Sequence, residues 1–336
     1  MLASYSYCPY NRVSSRRFGT IRYLILTLTI NPAVDRNVTV DRLAFEDRGY
    51  ILDRNETAGG RGINASRVIH SFGGKTQAVA VSGGAAGQQF QAMSKLSGFP
   101  VDFVPIENEI RTNMTISDKQ GLTVKLNELG PPLSTKELDK IAELVATKLD
   151  KATWFMICGS IPPGVPPHYY NHLLDLAHKK KVKTLLDTDG DALLHGLEAE
   201  PTVVSPNQQE SERLLNRALI TRSHLVDAVE RIHGMGAKSV VLTLGARGAI
   251  GRTAKELVEV VPPRIEALCP LGAGDALAAA FTWAIDKKKD FIDAVRWGVA
   301  AGTASAKLPG VNFANLDQTK QMYPHVEVRS IGPAAG

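Results

Sequence analysis

The stretch LCPLGAGDALAAAF, residues 268–281, sets the terms for reading the whole chain. An aspartate follows Gly272-Ala273-Gly274 directly and precedes an almost wholly apolar run. A carboxylate withdrawn from water is costly unless something pairs with it. Asp275 is therefore either the cap of a helix that begins near residue 274 or a reacting group placed at its start. The first amides of such a helix lack intrahelical partners and carry the positive end of its dipole. Small residues leave those amides open to an anion. A γ-phosphoryl group gathers negative charge during transfer, which such a cradle stabilises, and a neighbouring carboxylate can take the proton of an attacking hydroxyl. A capping aspartate alone needs no three small residues before it, but the motif in isolation leaves both readings open.

Working outward, short apolar runs alternate with helix-like segments, the pattern of an α/β fold with a mostly parallel central sheet. YLILTLTI (23–30), TQAVAVS (76–82), TWFMIC (153–158), VKTLLD (182–187), TVVS (202–205) and SVVLTL (239–244) read as strands. Continuous apolar runs of this length suit strands buried on both faces. Helices are expected over 64–72, 87–96, 134–149, 166–180, 207–216 and 221–235. VTVDRL (38–43) and NMTISDKQGLTVKLNE (113–128) break the alternation. They read as antiparallel strands, the second pair joined by the turn signal DKQG. A few strands set apart from a large α/β body predict a small β lid, from about 36–56 and 111–129. Ligands bind at the C-terminal ends of parallel strands in such folds.

Other stretches carry candidate sites, each with a bland alternative. In AGGRGINASRVI (58–69), Gly60, Gly62 and Ala65 fit the GxGxxA spacing of dinucleotide-binding turns. The context fails: no apolar strand precedes it, and no acid occurs between Glu56 and Asp102. A dehydrogenase is rejected, leaving either a glycine turn capped by Asn64 or a close approach of backbone to a ligand. NPAVD (31–35) is a common turn, but it follows the first strand, where Asp35 could grip sugar hydroxyls. In SPNQQE (205–210), Asn207 and Glu210 form a capping-box pair or hold the waters of a Mg²⁺ ion. LTLGARGAI (242–250) is a glycine hairpin or a bed for a nucleotide, and no GxxxxGK[ST] phosphate loop occurs.

Bulk properties exclude several classes. The chain has 336 residues, 44% hydrophobic and 22% charged, ordinary values for a globular protein with a large core. The net charge is +5, but residues 1–22 hold Arg12, Arg16, Arg17 and Arg22 and no acid. The rest is nearly neutral, without a footprint for nucleic acid. Residues 1–22 resemble a transit peptide in composition, although a floppy extension or an upstream start is the reading preferred here. No run is long enough to span a membrane. Cys8, Cys158 and Cys269 are too few and too scattered for a disulfide framework or a zinc site. A cytoplasmic protein is expected, with a fold over 23–318 and a tail over 319–336.

Taken together and in order, NPAVD, AGGRGIN, GSIPPG (159–164), LLDTDG (185–190), SPNQQE, LTLGARG and GAGD resemble the PfkB/ribokinase family of carbohydrate kinases. The resemblance covers residues 23–315 and is strongest to the phosphosugar branch, which includes 1-phosphofructokinases and tagatose-6-phosphate kinases. It implies a ribokinase-like three-layer αβα fold, with ATP and Mg²⁺ as cofactors. Asp275 would be the catalytic base and Gly272, Ala273 and Gly274 the anion hole. Asp35, Gly59, Gly60, Asn64 and Ser160 would hold the sugar. Arg111 would take its phosphate, helped by Arg48 and Arg61. Asn207 and Glu210 would serve Mg-ATP, with Thr243, Leu244, Gly245, Ala246, Arg247 and Gly248 along the nucleotide. A homodimer through the lid is also implied.

Four departures stand out. Cys269-Pro270-Leu271 replaces the family's hydroxyl-bearing triplet and so removes a possible monovalent-cation contact. Arg61 replaces a lysine, Ile110 a threonine and Ser205 a lysine. The expected reaction is phosphorylation of fructose 1-phosphate to fructose 1,6-bisphosphate. Tagatose 6-phosphate or fructose 6-phosphate is the alternative substrate. A kinase of unphosphorylated sugar or nucleoside is a rival that Arg111 argues against. A sugar-phosphate-binding protein without turnover is the other rival. It draws on the altered triplet and is opposed by the intact Asp275.

Overall fold

The structure, a computed structural model, describes residues 24–44 and 46–333. Residues 1–22 and Cys8 lie outside the described residues. The chain enters on strand β1 (Leu24–Thr29) and crosses at once into β2 (Ala33–Val40) and β3 (Ile51–Gly59). Helix α1 (Arg61–Ser71), β4 (Thr76–Ser82), α2 (Gly84–Lys95) and β5 (Val101–Pro105) follow. A second excursion forms β6 (Arg111–Asp118) and β7 (Thr123–Asn127). The alternation then runs α3 (Thr135–Lys148), β8 (Ala152–Cys158), α4 (Tyr169–Lys179), β9 (Lys183–Asp187), α5 (Gly190–Glu198), β10 (Val203–Val204), α6 (Gln208–Leu215), α7 (Arg222–Gly234) and β11 (Ser239–Thr243). The hairpin β12 (Ala249–Thr253) and β13 (Glu256–Val261) leads to α8 (Ala273–Asp286), α9 (Phe291–Ala306), α10 (Leu316–Met322) and β14 (Glu327–Pro333).

The main sheet has the order β14-β13-β12-β11-β10-β9-β8-β1-β4-β5. Pairing is parallel from β11 to β5 and antiparallel through β12, β13 and β14. Strand alternation sorts its residues into two cores. Leu26, Leu28, Phe155, Ile157, Leu186 and Leu242 join the layer of α3, α4, α5 and α7. Ile25, Trp154, Met156, Leu185 and Val241 face α1, α8 and α9. On that second side Thr27 and Thr76 are buried polar residues, kept satisfied by a hydroxyl chain through Ser66: both contacts are 2.9 Å, and Thr76 donates to the carbonyl of Ile25.

Helix α8 is alanine-rich because α9 lies against its backbone. A Cβ on Gly298 would come within 2.9 Å of the Leu277 carbonyl oxygen, and one on Gly302 within 2.8 Å of that of Ala273. The small residues of both helices thus fix where α8 begins, and with it Asp275.

The lid is a separate sheet of order β3-β2-β6-β7. The segment 38–43 was expected to be antiparallel to its neighbours. It is so with β3, but β2 runs parallel to β6, with Asp35 opposite Asn113. The polar face of the lid carries Asp35, Asn113 and Asn127, and the opposite face Val38, Ile116, Val124, Met114 and Leu126. The expected tail needs a larger correction. Residues 316–322 form α10, and β14 pairs with β13 as an edge of the main sheet. Its sequence, EVRSIGP, has too few apolar residues to signal a strand, because an edge strand is half exposed. Neither α5 nor α9 was expected: α5 is short, although Ala192, Leu193, Gly196 and Leu197 are buried at helical spacing, and α9 buries small residues around most of its circumference, which blurs the period.

Candidate active site

The loop after β13 turns into α8 at Gly272, which takes φ 78° at the N-cap, and a Cβ there would meet the Phe313 ring at 2.8 Å. No side chain caps the helix; the Ala273 amide donates to the Pro270 carbonyl (3.3 Å), and the dipole and the Gly274 amide are left to face the site. Asp275 sits in the first turn and is not the cap. Its Oδ2 instead accepts a 2.7 Å hydrogen bond from Asn64 Nδ2, on a helix 211 residues away in sequence. The residue is half-buried. Loss of water around the carboxyl, followed by the charge of Asp187, pushes its pKa up to about 7, against the opposing pull of Arg61 and Asn64. A carboxylate so tuned is suited to accept a proton near neutral pH.

Arg61, the first residue of α1, reaches across to three acids. It donates to Asp187 at the end of β9 (2.8 Å) and to Glu210 in α6 (3.0 Å), and lies 3.8 Å from Asp189. These partners hold its proton more tightly than usual. Burial pushes the carboxyls of Asp187 and Glu210 up while Arg61 holds them down. Asp187 and Asp189 carried no assigned role in the sequence reading. The available signal was their place at the C-terminal end of a parallel strand.

On the lid side, Asp35 is half-buried and accepts from Asn113 Nδ2 at 2.9 Å, and burial pushes its pKa up. Gly59 makes room for it: a Cβ there would lie 2.0 Å from Asp35 Oδ2. Gly60 takes φ +121° beneath it. Arg111 starts β6 and donates to the carbonyl oxygens of Asn31 and Glu128, each at 3.0 Å, while its Nε stays buried and unpartnered. Ser160 accepts from Asn31 Nδ2 at 3.3 Å. Arg48 does not join them. It is exposed in the loop beyond the β2–β3 pairing, five strand residues past Asp35, about 17 Å along the lid.

Asn207 and Glu210 form a capping box at the start of α6: Asn207 Oδ1 accepts from the Glu210 amide (2.9 Å) and Glu210 Oε2 from the Asn207 amide (2.8 Å). Asn207 also bridges to Thr243, which places α6 beside the β11–β12 hairpin. Gly245 and Gly248 take φ of 59° and 92°. Gly245, Ala246 and Arg247 are exposed, whereas the Leu244 side chain is in the core, so Leu244 can offer a ligand only backbone. Arg247 donates to Gln208.

The arrangement brings together Asp275 at an uncapped helix start, the polar lid residues Asp35 and Asn113, and the exposed hairpin at Gly245–Arg247. Three comparisons bear on it. The model of the pfkB family of carbohydrate kinases matches residues 29–318. The chain is 30% identical to ATP-dependent 6-phosphofructokinase isozyme 2 of Escherichia coli, over 90% of this chain and 98% of that one. It is 29% identical to 1-phosphofructokinase of Borreliella burgdorferi, over 92% and 99%. The crystal structure of phosphofructokinase-2 from Escherichia coli in complex with potassium superposes with a TM-score of 0.85 at 29% identity, covering 90% and 98% of the two chains.

Proposed function

The chain belongs to the pfkB family of carbohydrate kinases, and from that premise we propose that it transfers the γ-phosphoryl group of ATP to a hydroxyl of a phosphosugar, fructose 1-phosphate first among them. The observation that carries the reading is Asp275, hydrogen-bonded by Asn64 and not spent on capping α8. In this account Asp275 takes the proton of the attacking hydroxyl. That oxygen bonds to the γ-phosphorus as the bond to the β-phosphate oxygen breaks, and ADP leaves. The amides at Gly272 and Gly274, with that of Ala273 once it leaves the Pro270 carbonyl, stabilise the charge on the transferring group. Asp35 and Asn64 orient the sugar, Gly59 and Gly60 admit it closely, and Arg111 and Ser160 hold its phosphate end. The nucleotide lies along the Thr243–Gly248 turn. The lid, whose polar face carries Asp35, excludes water that would otherwise hydrolyse ATP.

A Mg²⁺ ion fits this donor set through water. Both oxygens of Glu210 and the Oδ1 of Asn207 are already engaged, which disfavours direct ligation. One cation, Arg61, faces three carboxylates, which leaves negative charge to hold a hydrated dication. The ion would supply charge neutralisation on the phosphates. A homodimer through the lid is part of the proposal, supported by exposed Ile51, Leu52, Leu122, Val124 and Leu126. A cytoplasmic site of action is consistent with the absence, among described residues, of a helix long and apolar enough to cross a membrane.

The position of the substrate phosphate is the open half of the reading, since relatives acting on either phosphosugar resemble the chain equally. ADP release should be measured with fructose 1-phosphate, fructose 6-phosphate, tagatose 6-phosphate and unphosphorylated fructose. Arg111→Ala should raise KM for the preferred phosphosugar at least tenfold and leave KM for ATP within about twofold, as expected when a charge-assisted contact to one substrate is lost. Equal effects on both would remove Arg111 from the phosphate site. The Cys269-Pro270-Leu271 triplet supports a second reading, a phosphosugar-binding protein without turnover. Binding of phosphosugar and ATP with no ADP release in the same assay would favour it.

A further inference from the structure

We propose that Asn31 is a positioning residue for the phosphate end of the sugar site, acting through Arg111 and Ser160; this rests on the phosphosugar kinase reading. Three of the chain's crossings between body and lid meet at this residue, two through its main chain and one through its side chain. The first is the 30–33 turn that holds Asn31 itself. The second is the start of β6 at Arg111. The third is the segment from β7 to α3, through Glu128, Leu129 and Gly130. Asn31 is 4% exposed. Its Nδ2 donates to the carbonyl of Leu129 (3.0 Å) and to Ser160 Oγ (3.3 Å), so both amide protons are used. Its own carbonyl accepts from Arg111 Nη2, while Arg111 Nη1 donates to Glu128, the residue next to Leu129. Glu128 in turn accepts from the amide of Thr112 at 2.9 Å.

One asparagine therefore pins the loop whose carbonyl holds the guanidinium and, on its other amide proton, Ser160. Arg111 is aimed by main-chain carbonyls on the 31 and 128 loops, and Asn31 is what ties those loops together. The fit is close: Gly130 takes φ +96°, and a Cβ on it would lie 2.1 Å from Asn31 Oδ1. That oxygen is itself buried and without a partner among the described residues, so nothing else holds the amide in place. Removing the Nδ2 donor frees the Leu129 carbonyl, and the Glu128 carbonyl beside it loses its fixed position relative to Arg111. The Arg111 charge stays in the site but is no longer aimed.

The test uses the full chain and compares Asn31→Ala with Gly130→Ala, which leaves Asn31 present but crowds it. Both should raise KM for the phosphosugar by about tenfold, the scale of one lost buried hydrogen bond, with KM for ATP unchanged. Both should also narrow the preference in kcat/KM for phosphorylated over unphosphorylated sugar. The double variant Asn31→Ala/Arg111→Ala should be little worse than Arg111→Ala, because the effect passes through that guanidinium. A fully multiplicative double variant, an unmoved phosphosugar KM, or equal losses for ATP and sugar would each overturn the proposal while leaving the kinase reading intact. A wild-type chain that turns over no phosphosugar would instead overturn both. If Asn31→Ala fails to fold, Gly130→Ala decides.

Discussion

At the scale of the residue, long-range contacts set the states of Asp275 and of Arg61 with its acidic partners. Burial, followed by the charge of Asp187, pushes the Asp275 pKa up to about 7. A base must be ionised, so kcat/KM should fall about tenfold per pH unit below roughly pH 7. Asn64→Ala removes a hydrogen bond that favours the ionised form, so the acid limb of the profile should move to higher pH. A limb fixed at the wild-type position would mean that Asn64 does not act on Asp275. The sequence left Asp275 poised between cap and base, since helix ends are legible only to within a residue or two. The structure puts Gly272 at the cap and leaves the aspartate to Asn64. Arg61 was harder to read. The family resemblance made it a helper at the sugar phosphate, but its partners Asp187 and Glu210 lie 126 and 149 residues away, where no local signal reaches.

At the scale of the element, glycines decide where functional side chains can stand. The Gly59–Asp35 contact is the sharpest case: a Cβ at 2.0 Å from the carboxylate cannot be accommodated without moving one of the two strands or the side chain. Gly59→Ala should therefore raise KM for the sugar strongly with a smaller effect on the thermal midpoint, because the clash falls first on the half-buried Asp35 side chain. A large loss of stability with unaltered sugar KM would contradict this. The parallel strands were readable because both their faces are buried, which gives unbroken apolar runs such as TWFMIC. NPAVD was read as a turn, yet Ala33, Val34 and Asp35 already belong to β2. Only Asn31 and Pro32 turn, and the strand was hidden because its alternation begins inside the motif. The capping box of α6 was read correctly as one of two possibilities, and Glu210 also reaches Arg61.

At the scale of the whole molecule, the fold joins a ten-stranded body to a four-stranded lid whose two faces differ. The polar face carries Asp35 and Asn113 over the site. The other is apolar toward its exposed edge, where Val124 and Leu126 lie beside Ile116 and Met114. If a second copy covers that edge, Leu126→Glu should convert the dimer to monomer in sedimentation or light scattering, and a wild-type monomer would remove the lid dimer from the account. The order of motifs along 23–315 made the architecture legible from sequence, but β14 was not, because pairing at a sheet edge depends on β13 and not on its own composition.

The central claim is that Asp275 removes a proton during phosphoryl transfer. The direct measurement is ADP release from Mg-ATP with the preferred phosphosugar, comparing wild type with Asp275→Asn, alongside equilibrium binding of both substrates. The account predicts that the variant binds both but turns over about 10²–10⁴-fold more slowly. Turnover within a fewfold of wild type, with binding preserved, would contradict it.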